Sequence, residues 1–264
     1  MAVHVLIAIR LDWQAANDRA GKRKVAMQVT HFKNTLLKKL DPEMIARLHL
    51  RPVVFAVNHE IESPGCPIDS VIFVEEGMAS MTTTFQGGSQ VEVGMFGYES
   101  AIGISALMGT RRSLNRVYTQ IAGRGYSSRV DLARREFELG GLFQRLTLSY
   151  VQTQLVQAMQ SAGCNATHDV EQRLSRWLLL CADRVHGTRY KMSQEFLSHM
   201  LGTSRSTVSI AASILKQEKL IEYRRGVIDI LDLPGLEARS CECYRIIKDY
   251  LDNYAEFDDG MKAA

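Results

Sequence analysis

The sequence predicts an α+β chain: a roll of short antiparallel strands, one long helix, then a small helical unit that ends in a β-hairpin. Three observations carry this. Between Val53 and Val130, short runs alternate apolar with polar residues and are punctuated by glycine and proline turns, the pattern of an antiparallel barrel or jelly roll. Leu148, Val151, Leu155, Ala158 and Ala162 recur at spacings of 3, 4, 3 and 4, as on one seam of a long helix. Two short amphipathic segments flank Gly202 and lead into apolar strands with a basic tip.

The composition suits a globular chain. At 264 residues there is room for two domains. Hydrophobic content is 46% and charged content 23%, both ordinary for such a protein. The net charge of +3 excludes a general polycation, so affinity for nucleic acid must come from a local patch. The 5 cysteines are an odd number without a disulfide-framework spacing, and a reducing cytoplasm is the simplest setting for them. No run approaches the roughly eighteen apolar residues of a membrane span, so no membrane partner is expected. The opening MAVHVLIAIRLDW lacks the cleavage site of a signal peptide.

Along the chain, residues 1–31 read as a disordered extension, with Met27 a second candidate start. Residues 32–136 are assigned to the roll. Asn34–Leu40 reads as a short helix, and Asp41 caps another with Pro42 in its first turn. Val53, Phe55 and Val57 alternate, Val71–Val74 is a short buried strand, and Glu75-Glu76-Gly77 turns into Met78–Phe85. Gln86-Gly87-Gly88-Ser89 is a hairpin turn, and Arg116–Ala122 and Tyr126–Val130 are two further strands. Residues 137–162 form the long helix, which Gly163 breaks. A coiled-coil seam and a helix packed on its own roll both satisfy its pattern. Residues 163–254 form the second domain, entered through a hinge from Gly163 to Asp169 and a capping box at Asp169–Gln172. A last helix starts near Asp232, with Tyr244, Ile247, Leu251 and Tyr254 as its stripe, and residues 255–264 are a fraying tail.

Within that second domain, Ser193 caps a helix whose apolar face is Phe196, Leu197, Met200 and Leu201, and Gly202 ends it. The next helix, capped by Thr203 or Ser204, buries Val208, Ala211, Ala212 and Leu215 and leaves Arg205, Ser206, Ser209 and Ser213 outside. An arginine among hydroxyls at a helix start suits the major groove, where arginine can hold guanine O6 and N7 together. Arg224, Arg225 and Gly226 make a basic hairpin tip, placed as a wing that touches phosphate would be. A helical subdomain that binds no nucleic acid would share the spacing, but not the basic tip.

These residues resemble the winged helix-turn-helix of the Crp/Fnr transcription regulators. Ser193, Gly202, Ser204, Arg205, Thr207, Val208, Leu215, Leu220 and Ile221 stand at matching places, and Arg205 matches the family's base-reading arginine. Ser206 replaces a glutamate of its best-known members and Ile210 a second arginine, so their operator does not transfer. PGCPIDSVIFVEEGMASM resembles the family's cyclic-nucleotide-binding β-roll, with Gly65 and Gly77 in register. CNATHDVEQRLSRWLL and LEARSCECYRIIKDY resemble a poorly characterised subgroup from soil bacteria, and the likeness runs from about Asn34 to Tyr254.

The resemblance implies a cytoplasmic homodimer on double-stranded DNA, with RNA polymerase as a further partner. Dimerisation falls to Leu148, Val151, Leu155, Ala158 and Ala162, base reading to Ser204, Arg205, Ser206 and Ser209, and phosphate contact to Lys191, Arg224 and Arg225. In the β-roll, Glu99 falls on the family's ribose-binding position, but Tyr98 replaces the preceding glycine. Arg112-Ser113 is displaced from the phosphate-clamp position, and Leu114-Asn115 replaces the small residue after it. The sequence therefore argues against cyclic AMP and leaves the effector unidentified, with Tyr98, Glu99, Arg112 and Asn115 as candidate pocket residues. The iron–sulfur arrangement of other members needs N-terminal cysteines, and no cysteine precedes Cys66. No local signature supports haem.

Cys164 and His168 could share a helix face and bind metal, but two ligands are too few for a structural zinc site. Cys241 and Cys243, two apart on a helix, point to different faces, so no metal site is expected. A cupin enzyme needs a histidine-rich cluster in the barrel, where only His59 occurs, so catalysis is not expected. The remaining alternative is a constitutive DNA-binding regulator whose roll is only a dimerisation and activator-contact scaffold.

Overall fold

Local signals set the start of most helices in the computed structural model, which describes residues 31–88 and 90–256. The proposed extension up to residue 30, the second start at Met27, Ser89 of the hairpin turn and the tail beyond residue 256 lie outside the described residues. Asp41 accepts from the Met44 amide at 2.7 Å and opens α1 (Pro42–Leu48). Asn34 starts no regular α-helix. Its buried side chain donates to the carbonyls of Val74, Tyr98 and Ser100, tying the chain's entry to the roll, and only a 3₁₀ turn follows at Leu37–Lys39.

The roll is a six-stranded antiparallel sheet with the path β1 (Arg51–Phe55), β6 (Arg116–Arg129), β3 (Ser70–Thr84), β4 (Gln90–Phe96). The short β2 (Glu60–Glu62) pairs with β6, and β5 (Ala101–Ile102) pairs with β3. Sequence reading placed a turn at Glu75-Glu76-Gly77 and broke Arg116–Val130 into two strands; each is one long strand. The ladder absorbs Glu75–Gly77 as bulges, with register shifts between Val74 and Ala79. Gly77 has φ 88°, and a Cβ there would lie 2.6 Å from the Ile121 carbonyl; a Cβ on Gly123 would lie 1.8 Å from the Glu76 carbonyl. The two long strands bend where glycine lets their backbones meet.

Phe137 belongs to α2 (Val130–Glu138), not to the long helix. Gly140, at φ 73°, ends that element, and α3 runs from Leu142 through Gly163 to Thr167. One glycine costs a helix interior only about 1 kcal/mol, and twenty-one residues of established helix carry α3 past it. The hinge is thus shorter than expected, His168 and Asp169 alone. Asp169 and Gln172 close a reciprocal capping box at the start of α4 (Val170–Val185). One face of α3 packs on the roll through Phe143, Leu146 and Tyr150. Another stays open: Leu148, Leu155 and Met159 are 46%, 51% and 56% exposed, and Ala158 and Ala162 are exposed with them.

The second domain packs α4, α5 (Gln194–Leu201) and α6 (Arg205–Gln217) around Trp177, Leu178, Leu197, Val208 and Leu215. Met78 and Met95 of the roll enter the same core, so the two domains share apolar surface. The wing has three strands, not two, because β7 (Arg189–Lys191) pairs with β9 (Val227–Ile230) opposite β8 (Ile221–Arg224). The expected last helix is two, α7 (Leu233–Arg239) and α8 (Cys243–Asn253). Among the described residues no helix is long and apolar enough to cross a membrane.

Candidate nucleic-acid interface and its link to the roll

The helix-turn-helix is set by caps. Ser193 Oγ accepts from the Phe196 amide at 3.1 Å, and Gly202, at φ 58°, closes α5 in the left-handed region. Ser204 Oγ accepts from the Thr207 amide at 3.1 Å and opens α6. Ser204 thus caps α6, and its exposed hydroxyl also meets those of Ser206 and Thr207. Arg205 and Ser206 stand exposed on the first turn of α6. Ser209 follows one turn on, half-buried, its hydroxyl donating to the Arg205 carbonyl at 2.9 Å. Ile210 adds a 61% exposed apolar patch to the same face.

Arg205 pairs with Glu195 of α5, a partner that sequence reading missed. Both side chains are more than half exposed, so the pair is worth at most about 1 kcal/mol. A bidentate arginine–guanine contact discriminates by about 1–3 kcal/mol, enough to replace it.

At the wing tip Arg225 and Gly226 both have positive φ, 53° and 73°, as a tight hairpin requires. Arg224, Arg225 and Lys191 are exposed and make no ion pair among the described residues, whereas Arg189 reaches Asp229 at 4.0 Å. Arg224 and Arg225 line one shallow dish with Arg189 and Val227, whose other walls are the carboxylates Glu222 and Asp229.

The four candidate effector residues are not brought to one pocket. Arg112 lies exposed and donates to the Gly65 carbonyl at 2.6 Å, while Asn115 faces Thr83 at 3.4 Å. Glu99 is buried, and its Oε1 sits 2.9 Å from Arg184 Nε, so an arginine of α4 occupies the carboxylate expected to hold a ribose. Arg184 also donates to Gln157 Oε1 of α3 at 3.2 Å. Tyr98 packs on His186, ring centroids 4.5 Å apart and planes tilted by 30°. The cleft beside Tyr98 and Glu99 measures about 10 Å³, room for roughly one water. No spacing rule in the sequence announces Arg184, because its partner is 85 residues away.

A second polar contact joins the roll to the second domain. Trp177 Nε1 donates to Glu92 Oε1 at 2.8 Å, and Ser80 donates to the other oxygen. Burial pushes the Glu92 carboxyl up from its ordinary 4.5 to about 7, against the pull of the Ser80 and Trp177 hydrogen bonds. The folded protein therefore binds an extra proton between these values, and the contribution of Glu92 to stability falls as pH rises from 4.5 to about 7, then levels. Glu92→Gln keeps an acceptor for Trp177 and removes the titration. Urea unfolding across this range should show the variant gaining on the wild type by about 1–3 kcal/mol as pH approaches 7; parallel stability curves would count against the assignment.

Residues 172–239 match the model of the Crp-like helix-turn-helix domain. The chain is 25% identical over 213 residues to the global nitrogen regulator of Synechococcus elongatus, covering 75% of this chain and 94% of that one. It is 23% identical over 192 residues to the global nitrogen regulator of Nostoc sp., covering 68% and 85%. Among solved structures it resembles the c-di-GMP-responsive global regulator CLP of Xanthomonas campestris, with TM-score 0.60, 18% identity and coverage of 73% and 100%. It also resembles FixK2 of Bradyrhizobium japonicum, with TM-score 0.62, 14% identity and coverage of 74% and 98%. These last likenesses establish the fold.

Proposed function

We propose that the chain is a transcription regulator of the Crp/Fnr type, acting through its helix-turn-helix domain as a homodimer on a palindromic operator. The observation that carries this reading is the α6 start. Val208, Ala211, Ala212 and Leu215 fix one side of the helix in the core, which leaves Arg205 and Ser206 held outward with free basic side chains at the wing. Two such helices enter successive major grooves when they stand about 34 Å apart. The open seam of α3 supports the dimer, and the cytoplasm, where the chromosome lies, is the corresponding location. Contact with RNA polymerase belongs to the same reading.

Control by a signal at the roll is part of the proposal. The shared core at Met78 and Met95 and the Glu99–Arg184–Gln157 junction give a route from roll to reader. The commitment of Glu99 to Arg184 and the small cleft favour a second reading, a regulator that binds DNA without a ligand in the roll. Operator selection from a random DNA pool, with cyclic AMP in one arm, separates the two. A two-fold palindrome enriched without nucleotide supports the dimeric reader, constitutive or answering another signal. Enrichment only with cyclic AMP would restore a nucleotide-gated roll. Enrichment of asymmetric sites would overturn the dimer.

On the selected operator, Arg205→Ala should cost about 1–3 kcal/mol and relax preference at one base position. Arg225→Ala should instead weaken binding to every sequence and flatten the salt dependence by about one unit of slope. Titrations at several salt concentrations distinguish them; an unchanged base preference in R205A would remove Arg205 from base reading.

A further inference from the structure

The last turn of α3 and the link between α7 and α8 meet at four donor side chains. Cys164, His168, Cys241 and Cys243 bring their ligand atoms within 4.8 Å of one another. Cys164 Sγ stands 3.5 Å from Cys241 Sγ, and Cys243 Sγ stands 3.6 Å from His168 Nδ1. A tetrahedral metal with sulfur at about 2.3 Å and nitrogen at about 2.0 Å has ligand–ligand edges of roughly 3.5–3.8 Å. These two distances fall in that range, and the remaining pairs lie within 4.8 Å. All three thiols are free and buried, and they form a cluster apart from the three apolar cores. Taken separately, the Cys164–His168 pair and the Cys241–Cys243 pair give no metal site; the fold brings all four side chains together. Cys241 precedes α8, which starts at Cys243, so the two thiols do not share helical spacing and can turn to one side.

The surroundings suit a bound cation. Glu242 Oε2 lies 3.4 Å from His168 Nε2, the nitrogen that would face away from the metal, and so can orient the ring. Gln160 Nε2 donates to Cys243 Sγ at 3.1 Å. Three thiolates on a divalent ion leave one negative charge, and Arg173 and Arg176 of α4 act on these sulfurs electrostatically. A disulfide between Cys164 and Cys241 would leave Cys243 and His168 idle, whereas a metal uses all four donors.

We propose that Cys164, His168, Cys241 and Cys243 form a closed Cys3His site for a divalent transition metal, zinc by preference, that staples the end of the long helix to the DNA-binding domain. Thiolate and imidazole donors in a tetrahedron select zinc, and four protein ligands leave no open position, so the site is structural. It spans the short hinge at His168 and Asp169. Arg173, beside the site, donates to the Leu201 carbonyl at the end of α5, one residue before Gly202. The ion thereby fixes the angle at which α3 presents the helix-turn-helix.

The test is metal content of the full chain, purified in reducing, chelator-cleaned buffer. The expected result is on the order of one zinc per chain. It falls to background in C241S/C243S and in His168→Ala, and is unchanged in C66S, whose thiol is exposed and outside the cluster. Glu242→Gln should weaken affinity by about tenfold. Circular dichroism checks each variant's fold. If the double variant does not fold, cobalt titration of the wild-type chain decides: sulfur-to-cobalt charge-transfer bands with the intense ligand-field bands of a tetrahedral site support the proposal. A folded, reduced wild-type chain that takes up neither zinc nor cobalt overturns it. So does a Cys164–Cys241 disulfide in protein prepared without oxygen, or equal metal loss in C66S.

Discussion

Leu155→Glu should turn a dimer into a monomer and lower operator affinity by about 10²–10⁴-fold, the advantage that linking two half-sites confers. Leu155 is 51% exposed on the same stripe as Leu148 and Met159, while the packed face of α3 is already buried against the roll. Covering such a side chain fully is worth about 1.5–3 kcal/mol, and a two-fold interface collects each term twice. A glutamate at the seam instead faces its own copy and loses hydration. Because the position is open to solvent within one chain, the monomer should keep its fold. Light scattering after size exclusion, with operator titration, checks the result. An unchanged mass together with unchanged affinity would mean that another surface holds the dimer or that none forms.

Arg184→Ala should destabilise the chain by about 3–5 kcal/mol, the usual consequence of leaving a buried charge unpaired. The side chains of Glu99 and Arg184 are 4% and 2% exposed. Removal of the guanidinium would leave Glu99 with only the Gly97 amide, at 3.2 Å, and the Ser100 hydroxyl, at 3.0 Å. It would also free Gln157 of α3. Replacing the pair together, as E99Q/R184M, should recover much of the loss, because the penalty lies in the orphaned charge. Denaturant unfolding of the two single variants and the double variant measures this. A loss below about 1 kcal/mol in R184A would show that water reaches Glu99 and that the junction is not a dry link between roll and reader.

The site was legible in proportion to how local its signals are. Ser193, Gly202 and the apolar positions of α5 and α6 identify a helix-turn-helix because caps and helical spacing act within a few residues. The same logic named Thr203 or Ser204 as the cap of α6, a place the structure gives to Ser204. It also read Gly163 as a helix end, although a long helix tolerates one glycine. The β-roll was legible as a class from its alternation and turns, but its strand bounds were not. Glu75-Glu76-Gly77 is a bulge only because β6 brings Ile121 and Gly123 against it.

By itself the sequence determined the order of parts: a roll of strands, a long helix with an apolar seam, and a capped helix pair followed by a basic wing. Each rests on periodicity or capping, which neighbouring residues decide. Only the tertiary structure decided that Arg184 takes Glu99, that Arg205 is held by Glu195, that β7 completes the wing, and that Cys164 and His168 meet Cys241 and Cys243. Those pairings join residues 10 to 85 positions apart in chain order. Which buried charge or thiol finds which partner follows from how the backbones close on one another, and no local pattern encodes that closure.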